Sequence, residues 1–269
     1  MRHLLTACLF LGFAAAQAGE RPVVVVTTSL IATAVGDLAG DAVDVETLMP
    51  PGTCPGQFDL DPRQARRVRE AVLVVRHEMQ NFLGTRFAAA GVRPETVIAP
   101  PFSEPFTLPD HYVRFCDALA TELVRRVPVL AETTPVRLAA IRERAKDETA
   151  YLQHEAVGLA GTRVVAAAFQ ARFLRWLGFE VVAVFPPDDD LPPRALTAAI
   201  ATGRERGAVL VVGNEQNGRR VPAAIAEALG IGVVMLSNFP ARSAAGAYDD
   251  LLKANLQALL AAPPRRNSS

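Results

Sequence analysis

The strongest constraint on this chain is an alternation of short β-branched runs with amphipathic segments, broken once by a long charged helix and then resumed. Val23–Val26 is four valines, followed by Thr27-Thr28-Ser29 and apolar residues at Leu30, Val35 and Leu38. An apolar run of that length reads as a strand buried on both faces. The hydroxyl residues after it read as the cap of a helix. Further strands are predicted at 43–48 and 71–75, with a helix at 64–70 between them. A proline-rich loop over 94–109 leads into a helix at 110–127, whose apolar face is Tyr112, Phe115, Cys116, Leu119 and Leu123. Thr134-Pro135 then opens a helix that Gly158 closes, roughly 35 Å long at ~1.5 Å per residue. Charges at Arg137, Arg142, Glu143, Lys146, Asp147 and Glu148 leave it a narrow apolar stripe, as suits a bridge between lobes. The alternation restarts with strands at 163–167, 179–185, 208–212 and 232–236. Helices fall at 170–177, 193–206 and 222–229, and a last one at 247–260. The expected fold is α/β: two βα lobes with parallel sheets, a bridging helix at 134–158, and a ligand cleft between lobes 19–133 and 159–262.

The ends are read separately. Residues 1–18 combine Arg2, an apolar run from Leu4 to Ala16 and small residues at Ala16 and Ala18, the pattern of a secretory signal peptide cleaved after Ala18. Leu5-Thr6-Ala7-Cys8 offers a weaker, lipid-anchored alternative. Residues 263–269 read as a frayed tail. No later run approaches the ~18 apolar residues of a membrane span.

The chain carries 28 Lys+Arg against 28 Asp+Glu. That balance removes the long-range attraction a nucleic-acid binder would use, so no nucleic-acid partner is expected. With 3 Cys and 4 His in all, any metal site must be sparse or must draw on other ligands. Cys54 stands in a Pro/Gly loop where it can meet a ligand. His77, beside Glu78, follows a strand's carboxyl end, where open α/β sheets place their ligands. His111 falls in the first turn of a helix and reads as a surface or capping residue, His154 as a solvated one. Cys116, on an apolar helix face, reads as core, with a Cys54–Cys116 disulfide as the alternative. Trp176 reads as packing its helix onto the sheet.

The run VVVVTTSLIATAVGDLAGDAVDVETLMPPGTCPGQFDLDP resembles the opening of the zinc/manganese group of metal-binding solute-binding proteins of bacterial ABC importers. The bridging helix and the closing 251–256 segment fit the same family, and the resemblance covers essentially the whole mature chain. It implies a periplasmic, monomeric, non-enzymatic protein that takes up a transition metal ion, zinc or manganese, or a metal complex. The cargo would sit in the cleft and pass to the membrane permease of the importer, with the bridging helix limiting opening to a small tilt. The family's pattern of three His and one acid is not met. Its first His position falls on Gly56, beside Gln57. The second falls near 106–109, close to His111, and the third on Ala167, one helical turn before Gln170. The fourth, acidic position falls near Ser237-Asn238, and Glu215 stands where relatives often carry Glu. The resemblance therefore implies a ligand set of Cys54, Gln57 and His77 from the first lobe with Gln170, Asn214 and Asn238 from the second. Cys54, Gln57, His77 and His111 are the candidates for touching metal. The C-P-G-[HQ]-F-D motif marks a divergent subgroup. Two other readings stay open: the same receptor fold binding a non-metal polar solute, and a periplasmic enzyme with Cys54 as nucleophile and His77 as base.

Overall fold

A computed structural model describes residues 21–50, 58–102, 105–187 and 192–262. The signal segment, the tail, and Cys54 and Gln57 lie outside the described residues. The first sheet holds β1 (Val23–Val26), β2 (Asp44–Thr47), β3 (Leu73–Val75) and β4 (Val97–Ile98), all parallel, in the order β2-β1-β3-β4. The second holds β5 (Arg163–Ala167), β6 (Glu180–Phe185), β7 (Leu210–Asn214) and β8 (Gly232–Leu236), again parallel, in the order β6-β5-β7-β8. The two lobes thus repeat one winding, and each fills its strands with the valine-rich runs seen in the sequence.

Helices α1 (Ser29–Ala39), α2 (Pro62–Glu70), α3 (Leu83–Ala89) and α4 (Pro109–Arg126) cover the first sheet. Helices α6 (Ala168–Trp176), α7 (Pro193–Glu205) and α8 (Arg220–Leu229) cover the second. Between them run α5 (Thr133–Glu155) and, at the end, α9 (Ala247–Ala261). Local chemistry explains several starts. Thr28 caps α1 by accepting the Ile31 N–H, and Asp61 and Gln64 form a reciprocal capping box at the proline-led start of α2. Two elements differ from the sequence reading. Strand β4 lies inside the stretch read as loop, and α3 lies where no helix was assigned. Both are too short for a period to show, and only Leu83 and Phe87 of α3 are buried.

One apolar cluster runs through both lobes, from Val24, Leu30 and Phe115 to Phe173 and Leu256. Helix α5 buries only Thr134, Ile141, Glu148 and Leu152, in keeping with its narrow stripe. Glu148, one of the charges of α5, lies on that buried stripe. It is 6 % exposed, because α9 packs over it and brings Lys253 Nζ to 3.5 Å.

A polar node ties the helices together. Asp37 of α1 accepts hydrogen bonds from Tyr112 Oη (2.9 Å), from Arg144 Nη2 of α5 (2.6 Å) and from the Gly246 N–H (2.8 Å). Arg144 Nε also pairs with Asp249 of α9 at 2.7 Å. Beside the node Tyr112 stacks on Tyr248, ring centroids 3.9 Å apart and 6° from parallel. Cys116 is a free, buried thiol in the same core, where burial pushes its pKa up and keeps it protonated. Trp176 is half-buried and stacks on Phe173. Among the described residues no helix is long and apolar enough to cross a membrane.

Candidate functional site

In each sheet the chain leaves the first strand toward one side and returns to the other, so a crevice forms at the carboxyl ends of β1/β3 and of β5/β7. The candidate residues come from those ends. Thr27 and Thr28 follow β1, and His77 follows β3. Gln170 lies in the first turn after β5, Asn214 ends β7, and Asn238 follows β8.

His77 is buried and held on two sides. Its backbone N–H donates to Gln80 Oε1 at 2.9 Å, an oxygen that also accepts the Thr27 hydroxyl at 2.7 Å. Its ring Nε2 lies 2.9 Å from Thr28 Oγ1. Rings of Phe102, Phe106 and Phe239 stand 6.3, 5.0 and 6.0 Å away, the last from the second lobe. Burial in this aromatic cage pulls the imidazole pKa down to about 3, so the ring is neutral at neutral pH. Its Nδ1 is buried with no hydrogen-bond partner. A neutral imidazole with one nitrogen engaged and the other bare is a ready metal ligand.

The second lobe contributes amides. Gln170, fully buried, donates from Nε2 to Asn214 Oδ1 (2.9 Å) and to Asn238 Oδ1 (2.8 Å). Asn214 Nδ2 donates to Asn217 Oδ1 at 2.5 Å. The Asn238 N–H donates to Gln216 Oε1 at 3.0 Å, and Gln216 Nε2 donates to Ser237 Oγ at 2.9 Å. Gln170 Oε1 is left buried without a partner. Phe239, next to Asn238, joins this cluster to the His77 cage.

Of the expected ligand set, Gln170, Asn214 and Asn238 are in direct contact, and His77 meets them through Phe239. His111 corrects the surface reading: it is buried in the first turn of α4, which starts from a stretch, residues 105–109, that is itself buried throughout. His154 is exposed on α5, as expected. Among the described residues no three His, Cys, Asp or Glu converge on a metal position. Thr28, Gln80 and the three phenylalanine rings are not legible as site residues in the sequence. Only the Thr27-Thr28-Ser29 cap signal pointed toward any of them.

Two like-wound lobes with a site at their facing strand ends define the class of two-lobed solute-binding proteins. The sequence profile of the periplasmic component A of the zinc-uptake complex, ZnuA, matches residues 24–100 and 106–262, and the chain belongs to that family. No curated protein sequence matches the chain significantly. Solved structures share the fold. A crystal structure of ZnuA superposes with a TM-score of 0.74 at 20% identity, over 90% of this chain and 99% of that one. The periplasmic zinc-binding protein TroA of Treponema pallidum gives 0.76 at 18%, over 91% and 100%. The solute-binding protein FpvC of P. aeruginosa, solved with Ni2+, gives 0.76 at 19%, over 90% and 97%.

Proposed function

We propose that the protein is the periplasmic receptor of an ABC importer, taking up a divalent transition metal ion at the interlobe site and handing it to the membrane permease. The observation that carries this reading is His77 Nδ1: buried, neutral and unpartnered at the switch point of the first sheet, facing a ring from the other lobe. Family membership supports it, as do the zinc-binding TroA and the FpvC complex with Ni2+. In this reading the mature chain begins after Ala18 and acts as a monomer. Residues 19–133 and 159–262 form the lobes on either side of a 134–158 bridge, and 263–269 is a tail. Cys54 and Gln57 of the C-P-G-Q-F-D motif, with His111, are further candidates for metal contact, and that motif marks the divergent subgroup. The enzyme reading is weaker, because an imidazole held near 3 is a poor general base.

The test is equilibrium dialysis against micromolar zinc, manganese and nickel with elemental analysis, on wild type and His77→Ala. One equivalent of metal on wild type and a tenfold or greater loss of affinity in the variant is expected. Metal at 100 times its Kd should also raise stability by about 2.7 kcal/mol in a melting assay. No binding of any of the three ions would overturn the metal reading in favour of a non-metal polar solute.

A further inference from the structure

We infer that Gln170 is the specificity-determining residue of this site: its carbonyl oxygen is the second lobe's donor to the captured ion. That oxygen biases the site toward ions that favour oxygen, Mn2+ relative to Zn2+ or Ni2+. The inference rests on the reading that His77 ligates the cargo.

The argument is one of orientation. Both Nε2 hydrogens of Gln170 are used, on Asn214 Oδ1 and Asn238 Oδ1. Turning the amide over would set its oxygen against two carbonyl oxygens, so the orientation is fixed as long as the asparagines hold theirs. Asn214 is held by Asn217, and Asn238 is held at its N–H by Gln216, itself bonded to Ser237. Asn217 thus fixes the Asn214 amide and Gln216 the backbone that carries Asn238, and the series ends on one buried oxygen with no donor. Folding alone gives no reason for this, since a buried acceptor without a partner is destabilising. An oxygen preorganised in that way is satisfied by a cation. Carbonyl oxygen suits Mn2+, whereas Zn2+ and Ni2+ gain most from nitrogen and sulfur, so an amide at this position weakens Zn2+ and Ni2+ more than Mn2+.

The experiment measures Mn2+, Zn2+ and Ni2+ affinities by competition with a chelating indicator. The proteins are wild type, Gln170→His, Gln170→Leu, Asn217→Ala and His77→Ala, with metal-free melting curves as the check on folding. Gln170→His should raise Zn2+ and Ni2+ affinity at least tenfold more than Mn2+ affinity. Gln170→Leu should weaken Mn2+ about tenfold. Asn217→Ala leaves Gln170 in place but frees Asn214, and should weaken Mn2+ severalfold; it carries the test if the Gln170 variants do not melt cooperatively. A Zn2+/Mn2+ ratio that stays within threefold of wild type in the folded variants, with His77→Ala still losing metal, overturns the role of Gln170 alone. Unchanged binding in His77→Ala, or none in wild type, overturns the underlying reading and this inference with it.

Discussion

Asp37→Ala tests how the lobes are held. The Asp37 side chain is 2 % exposed, and its two oxygens accept from three different elements. Removing it leaves the Tyr112 hydroxyl, 1 % exposed, as a buried donor without a partner, at about 2 kcal/mol. The Gly246 N–H is half-buried and regains water in part, adding under ~1 kcal/mol. Arg144 keeps Asp249 and is 37% exposed, so its lost ion pair, discounted for solvent screening, adds under ~1 kcal/mol. The sum is about 3 kcal/mol, and at ~2–4 °C per kcal/mol the Tm falls by about 6–12 °C. Calorimetry and urea unfolding of metal-free protein measure it. Tyr112→Phe should cost ~1 kcal/mol in wild type but restore up to about 2 kcal/mol in the Asp37→Ala background, where it removes the orphaned hydroxyl. A loss under ~1 kcal/mol for Asp37→Ala, or an equal Tyr112→Phe cost in both backgrounds, would refute the node.

Two further perturbations have clear signs. His77 is held at about 3 in the folded chain against 6.5 ordinarily, so the unfolded chain takes up the proton first. Stability therefore falls as pH drops from 6.5 toward 3, by about 1.4 kcal/mol per pH unit from this group. Urea unfolding at pH 7 and pH 5 should show His77→Gln losing less than wild type, and equal losses would contradict the assignment. At Gly213 an added Cβ would lie 2.5 Å from Met235 Sδ and 2.8 Å from Pro222 Cγ. Gly213→Ala should lower the urea midpoint by the equivalent of ~1–3 kcal/mol, and a change below ~0.5 kcal/mol would count against that close packing of β7.

Much of the scaffold is legible from the residues. The Val23–Val26, Arg163–Ala167 and Gly232–Leu236 runs read as strands and each is one, the first two largely buried and the third half-buried at its sheet's edge. β4, with two residues, and α3, with seven, are too short to carry a period. The burial of Glu148 is not legible among its charged helix neighbours; it is decided by α9, more than a hundred residues on. The site divides the same way. His77 is legible from its place after a strand, and Gln170 and Asn238 came into view through the family resemblance. Thr28 and Phe239 were not legible as site residues, because a hydroxyl on an imidazole and a ring from the other lobe arise only from tertiary packing.

The two lobes touch through surfaces of opposite character. Around α9 the joint is dry: Tyr112 lies flat on Tyr248, and Leu252 and Leu256 share one core with α1 and α4. Along residues 239–246 it is polar and opens outward: Ser29 Oγ donates to Pro240 O at 2.8 Å in the interior, and Thr47 Oγ1 to Ser243 Oγ at 3.0 Å on the exposed side. Water replaces such hydrogen bonds at little net cost but cannot replace stacked rings. Any parting of the lobes therefore starts at the exposed Thr47–Ser243 contact and pivots on the tyrosine pair.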